Sequence, residues 1–273
     1  VDCVTFTGST VVGRQIAQDA AASNLKRVWL ELGGKSANIV MADADLQAAA
    51  EGVAAGIFFN QGEMCSAGSR VLVQRRVYKE FVSLLTVAAQ AWQPADPLDP
   101  SSLMGAIIDQ AQFDKVTSYI ALGKKEAELI FGGEAVIGEQ GWFIPPTLFV
   151  SAPDTRIAQE EIFGPVLTTV RAQSYEDALN LVMDNDYGNG TAIYTADGDT
   201  ARDFASRVNV GMVGINFPIP VPLSYFSFGG WKASLFGDHH VHGQEGVRFH
   251  TRMKTVTSRW PARLTAEFSM PTM

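Results

Sequence analysis

The feature that most limits the fold of this sequence is a repeated alternation of short apolar runs with longer stretches of helical periodicity. The apolar runs 71–74 and 166–170 are each followed by a stretch, 78–92 and 175–184, in which apolar residues recur every three or four positions. Strands that alternate with helices in this way are typical of a parallel sheet. The pattern predicts an α/β domain with a largely parallel sheet.

The same periodicity places the individual elements along the chain. We predict strands at 4–7, 28–32, 38–41, 71–74, 129–131, 147–150, 166–170, 192–194, 212–216 and 251–260. We predict helices at 11–22, 46–60, 78–92, 110–122, 175–184 and 200–208. Asp45 is expected to cap the second helix, since its carboxylate can accept orphan amide bonds. The proline-rich segment 218–222 is apolar enough that we expect it to be buried or to line a pocket.

Charge and composition exclude several classes of protein. The chain has 273 residues, 47% of them hydrophobic, which is enough for one large domain or two small ones. Its net charge of −8 argues against binding to nucleic acid or to anionic membranes. No apolar run reaches the ~18 residues of a membrane span, and no signal peptide is visible, so we expect a cytoplasmic location. Two cysteines are too few for a disulfide framework.

Cys65 is a candidate nucleophile because of the loop around it. It lies in the polar, glycine-containing stretch 60–70, between a predicted helix and a predicted strand. A catalytic thiol needs access, a lowered pKa and backbone amides that can bind an oxyanion. An inert core cysteine is the alternative, and Cys3, inside an apolar run, fits that description. The local context leaves both interpretations of Cys65 open.

Glu31 is a candidate general base, and the histidines are not candidate metal ligands. Glu31 ends an apolar strand and precedes two glycines, so partial desolvation would raise its pKa toward a value useful for a base. A capping or surface glutamate is the alternative. The four histidines cluster at 239–250, but without the spacing and supporting ligands of a metal site. We therefore predict no metal and interpret the cluster as a solvated polar loop.

Five short segments occur in a fixed order along the chain. They are FTGST at 6–10, LELGGKS at 30–36, QGEMC at 61–65, EEIFGPV at 160–166 and FGGWK at 228–232. In this order, and with Glu31 placed 34 positions before Cys65, they resemble the aldehyde dehydrogenase superfamily over essentially the whole chain.

The resemblance implies an architecture and an assembly. It implies an aldehyde dehydrogenase-like catalytic domain with a parallel-rich sheet, plus the tail of a Rossmann-like cofactor domain. We expect the cofactor domain to end at 1–32, the catalytic domain to span 33–238, and a return segment with an oligomerisation strand to occupy 239–273. It also implies that nearly half of a full-length member is absent on the N-terminal side, and that the protein forms a homo-oligomer, either a dimer or a tetramer.

The resemblance further implies the NAD(P)-dependent oxidation of a small aldehyde to a carboxylic acid. Cys65 would attack the carbonyl to give a thiohemiacetal, whose oxyanion the Cys65 backbone amide could bind. After hydride transfer to NAD or NADP, the resulting thioester would be hydrolysed by water that Glu31 deprotonates. The sequence leaves the choice between NAD and NADP open, and it leaves the physiological aldehyde open.

Cofactor and substrate contacts are implied residue by residue. Gly8 and Ser9 match the turn before a helix whose N-terminus faces the cofactor pyrophosphate, and an ordinary strand-to-helix turn is the alternative. Glu161 matches a carboxylate that binds the nicotinamide-side ribose, although a solvated charge pair with its neighbour would look the same. The other implied cofactor residues are Val12, Leu32, Gln112, Lys115 and Phe163. Phe228 is expected to line the aldehyde tunnel.

The two halves of the chain resemble different branches of the superfamily. The part through Glu134 is similar to hydrolytic, aminoaldehyde-type members, whereas 187–192 and 214–222 are similar to methylmalonate-semialdehyde dehydrogenases, which pass the acyl group to coenzyme A and lack the glutamate base. This predicts a recombined sequence or a divergent natural member. Val241 stands where many hydrolytic relatives have a proton-relaying glutamate. A CoA-acylating enzyme and a catalytically silent fragment that only associates with partner subunits are the alternative functions.

Overall fold

The computed structural model describes residues 1–134, 136–138 and 141–260, with backbone alone at 136–138. The helices are α1 (Thr10–Ala22), α2 (Leu46–Phe58), α3 (Tyr78–Gln90), α4 (Gln110–Glu126), α5 (Arg156–Gln159), α6 (Tyr175–Met183), α7 (Gly198–Arg207) and α8 (Gly243–His250). The strands are β1 (Cys3–Thr7), β2 (Arg27–Glu31), β3 (Ala37–Val40), β4 (Arg70–Gln74), β5 (Glu128–Phe131), β6 (Val136–Gly138), β7 (Gly141–Phe143), β8 (Thr147–Val150), β9 (Val166–Ala172), β10 (Tyr187–Gly188), β11 (Gly190–Tyr194), β12 (Met212–Ile215), β13 (Trp231–Lys232) and β14 (Leu235–Phe236).

A small sheet carries the first candidate residues. β1 and β2 pair in parallel with α1 as their crossover, and β14 pairs antiparallel with the other edge of β2. Glu31 is the last residue of β2. The chain then leaves the sheet through Leu32, whose amide donates to the Ser234 carbonyl at 2.8 Å. The end of β2 is therefore held by β1, which precedes it in the chain, and by the segment around Ser234 and β14, which follows much later.

A seven-stranded sheet forms the larger part of the structure. Its order is β12-β11-β3-β4-β9-β8-β5, and every neighbouring pair is parallel except β5 and β8 at one edge. The prediction of an α/β fold with a parallel-rich sheet is thus confirmed. The loops that enter β4 and β9 carry Cys65 and Glu161, so these candidate residues lie beyond the amino ends of the parallel strands.

Both faces of the large sheet are covered by helices. On one face, Val71 and Val73 pack with α2 and α3, around Phe58 and Phe81. On the other face, Leu72 packs with α6 and α7. A further cluster joins α4 to the β8–β9 edge. Because successive strand residues point to opposite faces, the continuous apolar run 71–73 is what a strand buried on both faces requires.

Most predicted elements are confirmed within one or two residues, and the Asp45 cap is confirmed by its side chain accepting from the Ala48 amide at 3.1 Å. The second helix ends at Phe58 rather than at 60, because Asn60 and Gln61 adopt left-handed backbone conformations that no α-helix can continue through. The helices α5 and α8 and the short strands β6, β7, β10, β13 and β14 were not predicted.

Two segments near the end of the chain differ from what the sequence predicts. Residues 251–260 form no strand and are exposed throughout, because no neighbouring strand in the described part of the chain offers them hydrogen bonds. The predicted return segment continues through 261–273, which lie outside the described residues. The segment 218–222, predicted to be buried or to line a pocket, is not buried: four of its residues are half-buried and Val221 is exposed. Among the described residues, no helix is long and apolar enough to span a membrane.

Candidate active site

A cavity of about 480 Å³ collects residues from the ends of β1 and β2, from the loops before β4 and β9, and from α4. Nine of the eleven predicted site residues line it: Gly8, Ser9, Leu32, Cys65, Gln112, Lys115, Glu161, Phe163 and Phe228. Val12 faces away from this wall and is 46% exposed. Glu31 lies behind the wall and is buried. The fold therefore brings together residues that the sequence separates widely.

The loop after α2 presents Cys65 on the cavity wall. Asn60, Gln61 and Gly62 have φ values of 49°, 56° and 72°, so three consecutive residues lie in the left-handed region. Such conformations are costly for side chains other than glycine and cluster at functional sites. A turn in which the Ala67 amide donates to the Met64 carbonyl at 3.1 Å then surrounds the cysteine. Cys65 is neither fully buried nor fully exposed, which leaves its thiol accessible from the cavity.

Gly34 allows this loop to approach β2. A Cβ atom at Gly34 would overlap the carbonyl oxygen of Cys65. The absence of a side chain at this position thus lets the backbone of the cysteine loop lie directly against the segment that follows Glu31. The glycine pair after the predicted strand has a packing role that places the two candidate catalytic residues next to each other.

Glu31 lies beside the thiol in a nearly dry environment. It is 3% exposed, and the Cys65 thiol is close enough to influence the charge of its carboxylate. Burial raises the pKa of Glu31 to about 7, although the hydrogen bonds from Cys65 and Asn189 favour the charged form. A carboxyl with a pKa near neutrality can both accept and return a proton at physiological pH. The sequence-based expectation that desolvation raises the pKa of Glu31 therefore agrees with the environment of Glu31 in the structure.

The Cys65 thiol differs from the sequence-based expectation of a lowered pKa. Burial raises the pKa of Cys65 to about 12, and the negative charge of Glu31 adds to this effect. The thiol consequently carries its proton at neutral pH in this arrangement. Each of the two groups shifts the pKa of the other. The two candidate residues thus form one coupled pair rather than two independent groups.

Asn189 is a site residue that the sequence analysis missed. It lies between β10 and β11, is 1% exposed, and donates from Nδ2 to Glu31 Oε1 at 2.7 Å. Its amide also reaches the Cys65 thiol closely enough to favour the thiolate. The segment 187–192 was noted only as a marker of a branch of the superfamily. A contact that spans 158 positions leaves no local signal in the sequence.

Glu161 and its neighbours form another part of the cavity wall, next to Gly33 and Gly34. Glu161 Oε1 accepts from the Gly34 amide at 2.8 Å, and burial raises the pKa of Glu161. Gln112 donates from Nε2 to the Ile162 carbonyl at 3.1 Å and also to the Phe163 carbonyl. The Gln112 amide therefore holds the loop backbone, and it is this loop that presents Glu161 and Phe163, whose φ is 60°. Lys115 lines the cavity on the same helix as Gln112.

The start of α1 provides amide donors to the same cavity. Ser9 caps the helix by accepting from the Val12 amide at 3.3 Å, and the first turn contains no acidic residue. Gly8 and Ser9 line the cavity wall. The positive end of a helix dipole next to a cavity suits an anionic group such as a phosphate. Together with the Glu161 carboxylate, which can accept from hydroxyls, this donor set fits a dinucleotide.

None of the four histidines lines this cavity. His239 Nδ1 and Glu245 Oε2 are 2.7 Å apart, and Glu245 also pairs with Arg248. Within the part of the chain that the structure describes, no group of three or more His, Cys, Asp or Glu side chains is placed to hold a metal ion. Val241 lines a separate small cavity of about 180 Å³ together with Glu31 and Trp29.

A model of the aldehyde dehydrogenase family matches residues 1–256 of the chain. The chain is 45% identical over 268 residues to the NADP/NAD-dependent aldehyde dehydrogenase PuuC of Escherichia coli K12, covering 94% of this chain and 51% of PuuC. It is 42% identical over 275 residues to malonate-semialdehyde dehydrogenase of Pseudomonas aeruginosa, covering 98% of this chain and 55% of that protein.

Solved structures give the same result. The crystal structure of a putative methylmalonate-semialdehyde dehydrogenase from Sinorhizobium meliloti 1021, complexed with NAD, superposes with a TM-score of 0.92 at 42% identity, covering 97% of this chain and 55% of that one. The chain spans about half the length of the relatives that it matches. The extent of the family match, the identities and the shared fold lead to one conclusion: this chain belongs to the aldehyde dehydrogenase family.

Proposed function

We propose that this chain is the catalytic portion of an NAD(P)-dependent aldehyde dehydrogenase that oxidises an aldehyde to a carboxylic acid. The observation that carries the proposal is that Cys65 lines a cavity large enough for a small ligand, while the loop that carries it packs on Gly34, three residues after the buried Glu31 carboxylate. A second group of residues on that cavity, the start of α1 and Glu161, suits a dinucleotide. The two groups meet where a reacting carbon would have to lie.

The first step uses Cys65 as nucleophile. Its sulfur bonds to the aldehyde carbon, and its proton passes to the Glu31 carboxylate, whose pKa of about 7 allows it to accept. The carbonyl oxygen becomes an oxyanion or, once protonated, a hydroxyl. The Cys65 backbone amide is the donor in this loop that we assign to it. The cavity wall formed by Met64 and Phe228 keeps this region apolar, which strengthens such hydrogen bonds.

The second step needs a hydride acceptor. When bound, NAD or NADP supplies this chemistry by accepting the hydride from the thiohemiacetal carbon. On the protein side, the first-turn amides of α1 would bind the pyrophosphate, and Glu161 would accept hydrogen bonds from a ribose. Gln112 would act indirectly, since its amide holds the backbone of the loop that carries Glu161 and Phe163. Lys115 adds a positive charge near the Glu161 carboxylate.

The third step releases the acid. Glu31 first passes the proton that it took from the thiol to solvent, because it must be ionised to act as a base again. Water then attacks the Cys65 thioester while Glu31 removes one of its protons, and Glu31 returns this proton to the sulfur, which leaves as the thiol. Val241 cannot accept the proton that Glu31 passes to solvent. The small cavity that Glu31 shares with Thr5, Thr7 and Val241 has two hydroxyls in its lining that could order water for this purpose. Glu31 therefore takes part both in acylation, as the acceptor of the thiol proton, and in deacylation, as the base that activates water.

A second function, acyl transfer to coenzyme A, is favoured by one observation. Several of the similar proteins are named malonate- or methylmalonate-semialdehyde dehydrogenases. Glu31 argues for water as the acceptor, because a base that activates water favours the free acid.

The exposed apolar residues Met253, Val256 and Trp260 support a proposal that 251–260 joins a neighbouring subunit in a homo-oligomer, since an isolated chain leaves them 104%, 76% and 92% exposed.

The test combines the absorbance of reduced nicotinamide with product analysis. The chain is mixed with NAD or NADP and a small aldehyde, with and without coenzyme A, and Cys65→Ser serves as the matched control. We expect reduced cofactor and free acid from the unmodified chain and neither from the variant. Acyl-CoA as the main product would establish the second function instead. A flat trace from both proteins would overturn the claim that this chain is active, and would leave a silent fragment as the better description.

A further inference from the structure

The Asn189 side chain makes a contact that the mechanism above does not use. Its Nδ2 donates to Glu31 Oε1 at 2.7 Å, while its own Oδ1 has no hydrogen-bond partner among the described residues. A buried asparagine that only stabilises a loop normally bonds to backbone groups with both ends of its amide. This amide instead directs its N–H groups toward the candidate base and nucleophile.

The backbone around Asn189 is fixed by close packing. The Gly188 amide donates to Ser234 Oγ at 3.1 Å, and the Gly188 carbonyl accepts from the Gly211 amide at 3.0 Å. A Cβ atom at Gly230 would lie 2.9 Å from the Asn189 Cα, and one at Gly34 would lie 3.2 Å from the Asn189 Cβ. The side chain therefore has little freedom to turn away from Glu31.

Glu31 needs such a partner. Its Oε2 has no hydrogen-bond partner among the described residues, and the charged or titratable groups that face it, Cys65 and Glu161, do not bring a positive charge. Without Asn189, a carboxylate that is 3% exposed would have the thiol as its remaining hydrogen-bond donor among the groups described here. A charge-assisted N–H···O bond is the contribution that keeps the ionised form populated near neutral pH.

We propose that Asn189 is a positioning residue that holds the Glu31 carboxylate, in its ionised form, against the Cys65 thiol. This inference rests on the proposed function, because it assigns roles to the same pair, but its test needs neither cofactor nor aldehyde. A leucine would fill a similar volume without the amide. A purely space-filling role and a positioning role therefore predict different results for Asn189→Leu.

The experiment is the pH dependence of Cys65 alkylation by iodoacetamide, measured in a Cys3→Ser background so that Cys65 is the one thiol left. Because the Glu31 carboxylate accepts the thiol proton, we expect the rate to rise through an inflection at about 7, and this inflection should be missing in Glu31→Gln. Asn189→Leu should move it upward by about one pH unit, since a charge-assisted hydrogen bond is lost. Asn189→Ser, which adds no bulk, should move it in the same direction if the leucine variant does not fold.

The matched control is Asn185→Leu. Asn185 is also buried, four residues earlier in the chain, and donates from Nδ2 to Gln159 Oε1 at 2.7 Å rather than to the pair. It should lose thermal stability but keep the inflection where it is. An unchanged inflection in both Asn189 variants would overturn the proposal. The proposal would also be overturned if Asn189→Leu changed the alkylation rate by the same factor with Glu31→Gln as without it, because the effect would then not act through Glu31. A chain that forms no reduced nicotinamide yet shows the shift would refute the proposed function and leave this inference standing.

Discussion

The two sheets that meet at the active site differ sharply in how they are covered. The central strands β3 and β4 of the seven-stranded sheet are buried almost completely, with helices on both faces. In the small sheet, β1 alternates between half-buried and exposed residues, and α1 buries only Gly13 and Ala20. The proposed nucleophile, Cys65, precedes a strand of the well-packed part, whereas the proposed base, Glu31, ends a strand of the thinly covered part.

The difference in coverage between the two sheets indicates which contacts set the relative positions of Cys65 and Glu31. Cys65 is fixed by the loop that enters β4, and Asn189 by the loop that enters β11. Glu31 is brought to both of them because β14 pairs with the free edge of β2 and Phe249 packs on Trp29, with ring centroids 5.5 Å apart. The proposed catalytic pair therefore depends on how the two sheets pack together, and changes in either sheet should have different consequences.

The largest effect is expected from Glu31→Gln. Removing a general base lowers the rate of the step it assists by roughly 10²–10⁴-fold, so steady-state turnover should fall by this factor. The rate of the unmodified chain should rise with pH through about 7, because the carboxylate is the active form. This limb should be missing in the variant. Initial rates across the pH range test both points, and a variant that keeps the limb would show that another group titrates.

The unequal packing of the two sheets predicts unequal costs of truncation. Phe204→Ala, in the core of the large sheet, should lower the free energy of unfolding by about 3–5 kcal/mol. Val12→Ala, on α1, should change it by no more than about 0.5 kcal/mol, because Val12 is 46% exposed. Urea denaturation measures both. Similar losses for the two variants would contradict the comparison between the sheets.

Glu31 should also make stability depend on pH. Its folded pKa is raised from 4.5 to about 7, so the folded chain binds more protons than the unfolded chain between these values. The stabilising contribution of the protonated group is complete below about 4.5 and is lost as the pH rises through about 7. Relative to Glu31→Gln, the unmodified chain should therefore lose about 2–3 kcal/mol between these limits. Parallel denaturation curves at the two pH values would argue against a buried ionisable base.

Gly34→Ala tests the close approach of the two segments. The new methyl group would overlap the Cys65 carbonyl oxygen, so the cysteine loop must shift at a cost of about 1–3 kcal/mol. Cys65 alkylation should change together with the thermal midpoint. Gly246→Ala is the matched control, because a Cβ atom there has nothing within 4 Å. Equal effects of the two substitutions would show that the contact at Gly34 is not important.

The sequence predicted what depends on periodicity and ordered motifs. The alternation of strands and helices was sufficient for the parallel sheet, and the five segments were sufficient for the family and for a set of residues that the structure gathers at one cavity. Asn189 was missed because its partner lies on a distant strand. The raised pKa of Cys65 was missed because it depends on burial and on the charge of Glu31, which no local pattern records.

The segments 218–222 and 251–260 show what the sequence could not predict, namely the partner surface of an apolar segment. The apolar character of 218–222 predicted burial, and the run 251–260 predicted a strand, yet each needs a neighbour that the described part of the chain does not offer. Hydrophobicity and β-propensity indicate that a segment is suited to contact, but they do not say which surface provides it. Short pairings such as β10 with β13 escape prediction for the same reason.

The most direct test of the central claim, that Cys65 and Glu31 act as a nucleophile–base pair, is intact-mass spectrometry after mixing the chain with an activated ester. An ester loads the thiol without hydride transfer, so the measurement is independent of cofactor. We predict one acyl group on Cys65 that forms and clears in the unmodified chain, accumulates in Glu31→Gln and never forms in Cys65→Ala. An adduct that persists in Cys65→Ala, or that clears equally fast without Glu31, would contradict the account.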